Sequence, residues 1–74
     1  MGRLAGFKVR DVVKRLKNLG FEEDRQASGS HEVLRHPDGR RFVLVNHVGD
    51  YNEGLLRGSL SHAGIRVDDF LNAK

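Results

Sequence analysis

Residues 32–44 read Glu32-Val33-Leu34-Arg35-His36-Pro37-Asp38-Gly39-Arg40-Arg41-Phe42-Val43-Leu44, two short runs of strand-forming residues around a turn signal. Pro37 presets φ near about −65°, and Gly39 accepts the positive φ that tight turns require. The stretch predicts an antiparallel hairpin with strands over 31–36 and 41–46. With Asp38-Gly39 as a two-residue loop, Arg35 faces Phe42, Val33 faces Leu44 and His31 faces Asn46. Strand side chains alternate, so His31, Val33, Arg35, Phe42, Leu44 and Asn46 share one side; Glu32, Leu34, His36, Arg41, Val43 and Val45 share the other. Phe42 and Leu44 are the bulkiest pair, which predicts helices over the first side. Leu34, Val43 and Val45 then form a small apolar patch on the open side, suited to a partner or equally to ordinary exposed surface.

On either side of the hairpin the apolar period changes from two to about 3.6. Val9, Val12, Val13, Leu16 and Leu19 make one stripe, with Arg10, Asp11, Lys14, Arg15, Lys17 and Asn18 on the wet side. Gly20 stands where a helix takes a left-handed residue to stop, and Phe21 can fold back on Leu16. The same device recurs when Leu55, Leu56, Leu60 and Ala63 are followed by Gly64 and Ile65, which predicts a helix over 53–63. Gly54 and Gly58 each weaken that helix by about 1 kcal/mol relative to Ala. A short helix over 67–71 with Phe70 and Leu71 inward, and a weaker strand over 21–26, complete the reading. The fold class is α+β, a two-layer α-β-β-β-α sandwich with helices on one face of a three-stranded antiparallel sheet. Residues 1–74 form a single domain, of which 1–7 are a loose lead-in.

A chain of 74 residues buries only about 60–65% of its unfolded surface and is expected to hold no more than about 3–5 kcal/mol of stability before any partner helps. Any site is therefore a shallow cleft or an exposed face, suited to an extended, charged substrate. The absence of Cys rules out disulfides, thiolate-bound zinc and a cysteine nucleophile. Residues 1–25 hold no continuous apolar signal region, and no segment reaches the roughly 20 apolar residues of a membrane span. The expectation is a cytoplasmic protein without a membrane partner. Thirteen Lys and Arg against ten Asp and Glu give a net charge of +3, which favours a polyanion through attraction to phosphates.

Among candidate chemical groups His31 stands first, since an imidazole both takes and gives a proton near neutral pH. Such acid-base work contributes about 10² to 10⁴ in rate. RNA carries its own nucleophile in the 2′-hydroxyl, so a base and cations around the phosphate suffice to cleave it. A solvated histidine opening a strand has the same local sequence. Ser30-His31-Glu32 is not a triad in an extended strand, because Ser30 and Glu32 point away from His31. His31 and His36 are separated by an odd number, and His47 and His62 have no ligand-like spacing to either, so neither a metal nor another cofactor is expected. Lys8, Arg10, Arg25, Arg35, Arg40, Arg41 and Arg57 are candidates for holding a phosphate backbone. Tyr51 is the one aromatic expected at the surface for base stacking. Phe7, Phe21, Phe42 and Phe70 are expected in the core.

The order of these pieces resembles the HicA family of toxins: a leading helix closing in Leu19-Gly20-Phe21, then Gly29-Ser30-His31, then Arg35-His36-Pro37-Asp38-Gly39-Arg40, then a helix with Leu56-Arg57, Leu60 and Ala63-Gly64. The likeness covers residues 8–72. It implies a double-stranded-RNA-binding-domain-like fold and a ribosome-independent mRNA interferase, an endoribonuclease neutralised by a HicB-type antitoxin. It assigns catalysis to His31, with Gly29 and Ser30 shaping the approach of the mRNA. Two departures stand out. Asn52-Glu53-Gly54 opens the long second helix where the family often has Lys, leaving Arg57 as its main cation. Leu44-Val45-Asn46-His47 runs on where a proline commonly interrupts the third strand.

Overall fold

Val9, Val12 and Leu16 lie on the buried face of helix α1, Val9–Asn18, as their spacing requires. The structure, a computed structural model, describes residues 3–24, 32–44 and 49–74. After α1 come strands β1, Glu22–Glu23, β2, Glu32–Arg35, and β3, Arg41–Leu44, then helices α2, Glu53–His62, and α3, Val67–Asn72. The three strands form one antiparallel sheet in the order β1-β2-β3. This is the expected α+β architecture.

Both long helices stop by the same mechanism. At the end of α1, Gly20 adopts φ 98°, its N–H donates to the Lys17 carbonyl at 3.0 Å, and the Phe21 N–H donates to the Leu16 carbonyl at 3.0 Å. At the end of α2, Gly64 adopts φ 71°, with Gly64 N–H on Ser61 O at 3.1 Å and Ile65 N–H on Leu60 O at 2.9 Å. Each is a complete Schellman motif, and Phe21 and Ile65 are buried in the same core as Leu16 and Leu60. Asn52 caps the start of α2 by accepting from the Leu55 N–H at 3.0 Å.

The hairpin corrects the expected register by one residue. Gly39 N–H donates to His36 O at 2.9 Å and His36 N–H donates to Arg40 O at 2.8 Å, so the loop is the three residues Pro37-Asp38-Gly39, with Gly39 at φ 100°. A type I turn followed by a left-handed glycine is the three-residue alternative to the two-residue hairpin, and Pro-Asp-Gly satisfies it. The partners are therefore Glu32 with Leu44, Val33 with Val43, Leu34 with Phe42 and Arg35 with Arg41. Leu34, placed by sequence on the open side, is fully buried against Phe42 and Leu44 under the helices. Arg35 shares the opposite face with Arg41, Val33 and Val43. The expected pairing of His31 with Asn46, and the position of Val45, lie outside the described residues.

The core joins Leu4, Val12, Leu16, Phe21, Leu34, Phe42, Leu44, Leu56, Leu60 and Phe70. Each contributes about 1.5–3 kcal/mol by leaving water, offset by the ordering of the chain. Residues 3–7, expected as a loose lead-in, take part. Leu4 is fully buried, Phe7 meets Phe70 edge-on with ring centroids 5.3 Å apart, and Arg3 pairs with Asp68 at 2.7 Å. Tyr51, expected at the surface, is buried, and its N–H donates to Phe7 O at 2.7 Å. Arg15 ties α1 to α3: its guanidinium donates to Leu71 O at 2.7 Å and Phe70 O at 3.3 Å and lies 4.8 Å from the centre of the Phe7 ring. It thus satisfies carbonyls near the C-terminal end of α3, where cations are favoured. No helix among the described residues is long and apolar enough to cross a membrane.

Candidate nucleic-acid interface

The catalytic candidate His31, its neighbours Gly29 and Ser30, and Arg25 lie outside the described residues. β2 begins at Glu32, the residue after His31. The remaining candidates are Lys8, Arg35, Arg40, Arg41 and Arg57, together with Arg10, exposed on α1 with its Nε 4.0 Å from Asp11 Oδ1; they separate into groups once their partners are named.

Arg40 is absorbed by the fold. Its Nε donates to Asp38 Oδ2 at 2.7 Å, its guanidinium lies 5.4 Å from the centre of the Phe21 ring, and its Nη1 reaches the Gly64 carbonyl at 3.4 Å. The hairpin tip is thereby held against the ends of both long helices, at Phe21 after α1 and Gly64 after α2. A cation at the C-terminus of α2 answers an orphan carbonyl and the negative end of the helix dipole. Asp38 accepts the Arg40 backbone N–H at 3.0 Å as well as the side-chain bond. The backbone donor, then the Arg40 side chain and its charge, hold the Asp38 carboxyl below the ordinary aspartate range.

His36 is part of the same hub. Its ring sits edge-on to Phe21 at 5.1 Å, half-buried, and its Nδ1 lies 3.1 Å from the Asp38 backbone nitrogen and 3.0 Å from Asp38 Oδ1. The neutral ring accepts from that N–H, whereas the protonated ring donates to the carboxylate. Gly20 makes room for it: a Cβ there would stand 2.9 Å from His36 Nε2.

Lys8 and Arg35 are exposed but paired. Lys8 Nζ meets Asp50 Oδ1 at 3.0 Å, beside an isolated bridge between the two residues, and Arg35 Nη2 meets Asp24 Oδ2 at 3.2 Å. The Lys8–Asp50 pair, with both members in solvent, holds its cation weakly, at about 0–1 kcal/mol, so a phosphate can compete for it; the Asp24 side chain is only 11% exposed and keeps Arg35 as its partner. Arg41 and Arg57 are exposed and make no ion pair or hydrogen bond with any described residue.

The structure brings two of these cations together. Arg35 and Arg41 are Cα partners on adjacent strands and lie on the sheet face away from the core. Directly opposed side chains stand about 4.5–5.5 Å apart at Cβ, where like charges repel. Asp24 offsets Arg35, but Arg41 has no carboxylate of its own. An anion between the two removes the repulsion. Arg57 sits on α2, away from this pair in sequence and on a different layer. Among the described residues no group of three His, Asp or Glu could hold a metal ion.

The roles of Arg15 and Arg40 were not visible in the sequence. Asp38 two residues before Arg40 is a local signal for an Asx-type turn, but nothing local announces Phe21 or Gly64 as further partners. Residues 9–65 match a family model described as the HicA toxin of bacterial toxin-antitoxin systems. No curated protein matches the chain.

Proposed function

The chain belongs to the HicA family of bacterial toxins, and from that premise we propose that it is a metal-independent endoribonuclease that cleaves mRNA and is neutralised by a HicB-like antitoxin. The observation that carries the reading is the Arg35–Arg41 pair, both side chains exposed, on the sheet face turned away from the helices, with Arg35 on the strand that follows His31. With Arg35 already paired to Asp24, Arg41 opposite it adds a guanidinium charge that is uncompensated among the described residues and suited to a phosphate, and Arg forks match phosphate oxygens in two-point contacts. β2 rises about 10 Å from Glu32 to Arg35, which is within the span of a few nucleotides of RNA bound at the cation pair.

In the proposed reaction His31 takes the proton of the ribose 2′-hydroxyl. The 2′-oxygen attacks the adjoining phosphorus, the bond from phosphorus to the 5′-oxygen breaks, and a protonated group returns a proton to that leaving oxygen. The products are a cyclic phosphate and a free 5′-hydroxyl, with no water, metal or oxidant consumed. Arg41, with Arg35, stabilises the charge that gathers on the phosphoryl oxygens, the kind of interaction that supplies several kcal/mol in a partly desolvated site. Gly29 and Ser30 shape the approach, and Lys8, Arg25 and Arg57 extend the grip on the backbone.

The test is cleavage of a defined mRNA by purified protein with excess chelator. Wild type cleaves, and His31→Ala loses about 10²-fold or more while keeping its melting temperature. Equal cleavage by the two proteins refutes the role of His31. Binding without cleavage by wild type assigns the chain to a non-catalytic RNA-binding module instead, recognisable by an affinity that falls with a log-log salt slope of about −0.7 per phosphate contact.

A further inference from the structure

Val43 and Leu55 are the large hydrophobic side chains left exposed among the described residues, at 38% and 48%, and both line the same hollow. It has a volume of about 310 Å³ and lies between β3 and the outer flank of α2, with Gly54, Gly58, Ser59 and His62 forming the rest of its wall. No carboxylate lines it. Gly58 has nothing within 4 Å of where a Cβ would stand, so no contact inside this chain requires a glycine there.

Among the described residues β3, like β1, is an edge strand of the sheet. Hydrogen bonding alternates along an antiparallel ladder. Because His36 N–H bonds Arg40 O and Asp24 N–H bonds Val33 O, Phe42 and Leu44 turn their peptide groups toward β2, and Arg41 and Val43 turn theirs outward. The hollow therefore borders a row of backbone donors and acceptors available to another strand. Arg41 precedes Val43 by two residues on the same face, about 6.6 Å away, and has no partner among the described residues. His62 stands on the opposite wall.

We infer that this hollow and the outer edge of β3 dock an extended segment of the antitoxin, with an apolar side chain seated between Val43 and Leu55 and acidic ones flanking it, one of them against Arg41. The inference rests on the reading of the chain as a toxin restrained by an antitoxin protein. Strand addition supplies backbone hydrogen bonds and leaves specificity to alternate side chains. The Arg41 charge beside the hollow and the apolar floor select carboxylate-flanked hydrophobics over a nucleic-acid backbone, which offers no apolar side chain for the floor.

The probe is a synthetic peptide, acetyl-Thr-Glu-Thr-Ile-Thr-Glu-Thr-amide, whose Glu and Ile side chains share one face of an added strand, titrated into isotopically labelled protein, with a control in which Lys replaces Glu. Amide shifts at Arg41–Val43 and along the Gly54–His62 flank are expected, with at least 10-fold weaker binding of the Lys peptide. Shifts elsewhere, no shifts, or equal binding of the two peptides overturn the inference. Gly58→Gln supplies the second arm: it fills the hollow and raises the melting temperature by about 2–5 °C through better helix propensity. It should leave RNA cleavage unchanged and weaken both peptide and cognate antitoxin at least 10-fold. Undiminished antitoxin binding to this stabilised variant overturns the docking site while leaving His31 catalysis untouched. Loss of RNA binding with antitoxin binding intact assigns the hollow to RNA, and also overturns it. Failure of wild type to cleave RNA refutes the enzymatic reading alone, because the peptide and antitoxin measurements do not depend on cleavage.

Discussion

Arg40 and Arg41 are adjacent in sequence, yet they belong to regions with different tasks. Arg40 lies at the hairpin tip, where Asp38, the Phe21 ring and the Gly64 carbonyl use its guanidinium to join the sheet to the ends of two helices. Arg41 starts β3 on the outer face, opposite Arg35, with no partner among the described residues. One cation is occupied by the fold and the other is available to a ligand. Charge type and position in sequence do not distinguish them; what each side chain touches does.

The largest effect expected within the tip region comes from Gly20→Ala. A non-glycine residue at φ 98° costs about 1–2 kcal/mol, and the added methyl must also displace His36, whose Nε2 would stand 2.9 Å from it. In a domain holding about 3–5 kcal/mol, thermal unfolding should fall by about 10 °C or more. A change under 2 °C would show that the tip is not held as described.

The arginine pair sharpens the contrast directly. Arg40→Ala should lower stability by about 1 kcal/mol through its ring contact, ion pair and carbonyl bond. At temperatures where it remains folded, it should leave RNA affinity within twofold. Arg41→Ala should change stability by no more than about 0.5 kcal/mol and reduce the salt slope of RNA binding by about 0.7. Thermal melts and binding isotherms over a salt series measure both. Reversed results would mean that the two regions have been assigned the wrong way round.

These differences explain what the sequence could and could not disclose. The helix stops at Gly20 and Gly64 were legible because a Schellman motif is a local device: one left-handed residue and one apolar residue after it. The hairpin was legible, but its register was not, since Pro37-Asp38-Gly39 suits both a two-residue and a three-residue loop. That single residue moved Leu34 into the core and set Arg35 opposite Arg41. Leu4 and Tyr51 were misplaced because neither belongs to a periodic segment, and their burial depends on α3 and on residues 49–51 lying against the N-terminal loop. The role of Arg40 depends on Phe21 and Gly64, respectively 19 and 24 positions away. The Gly29-Ser30-His31 motif was legible as a family feature, and its catalytic role is the part that experiment must decide.

The smallest effect is expected from pH. Asp38 has a depressed folded-state pKa, caused first by the Arg40 backbone N–H and then by the Arg40 side chain. Its contribution is complete above the ordinary aspartate value of about 3.9 and is lost as pH falls through the depressed value. Asp38→Asn should therefore flatten the acid limb of the stability curve below about pH 4 and leave the curve near neutrality parallel to that of wild type. An unchanged acid limb would remove Asp38 from the hub.

The most direct measurement is nitrogen-detected NMR of the arginine Nε–H groups during titration with a 2′-deoxy-substituted RNA that binds but cannot be cleaved. Binding across the outer sheet face predicts a saturable shift at Arg41, accompanied by a smaller one at Arg35, which keeps its pairing with Asp24, while Arg40 keeps its free-state signal. Movement of Arg40 with Arg41 and Arg35 unchanged would contradict the account.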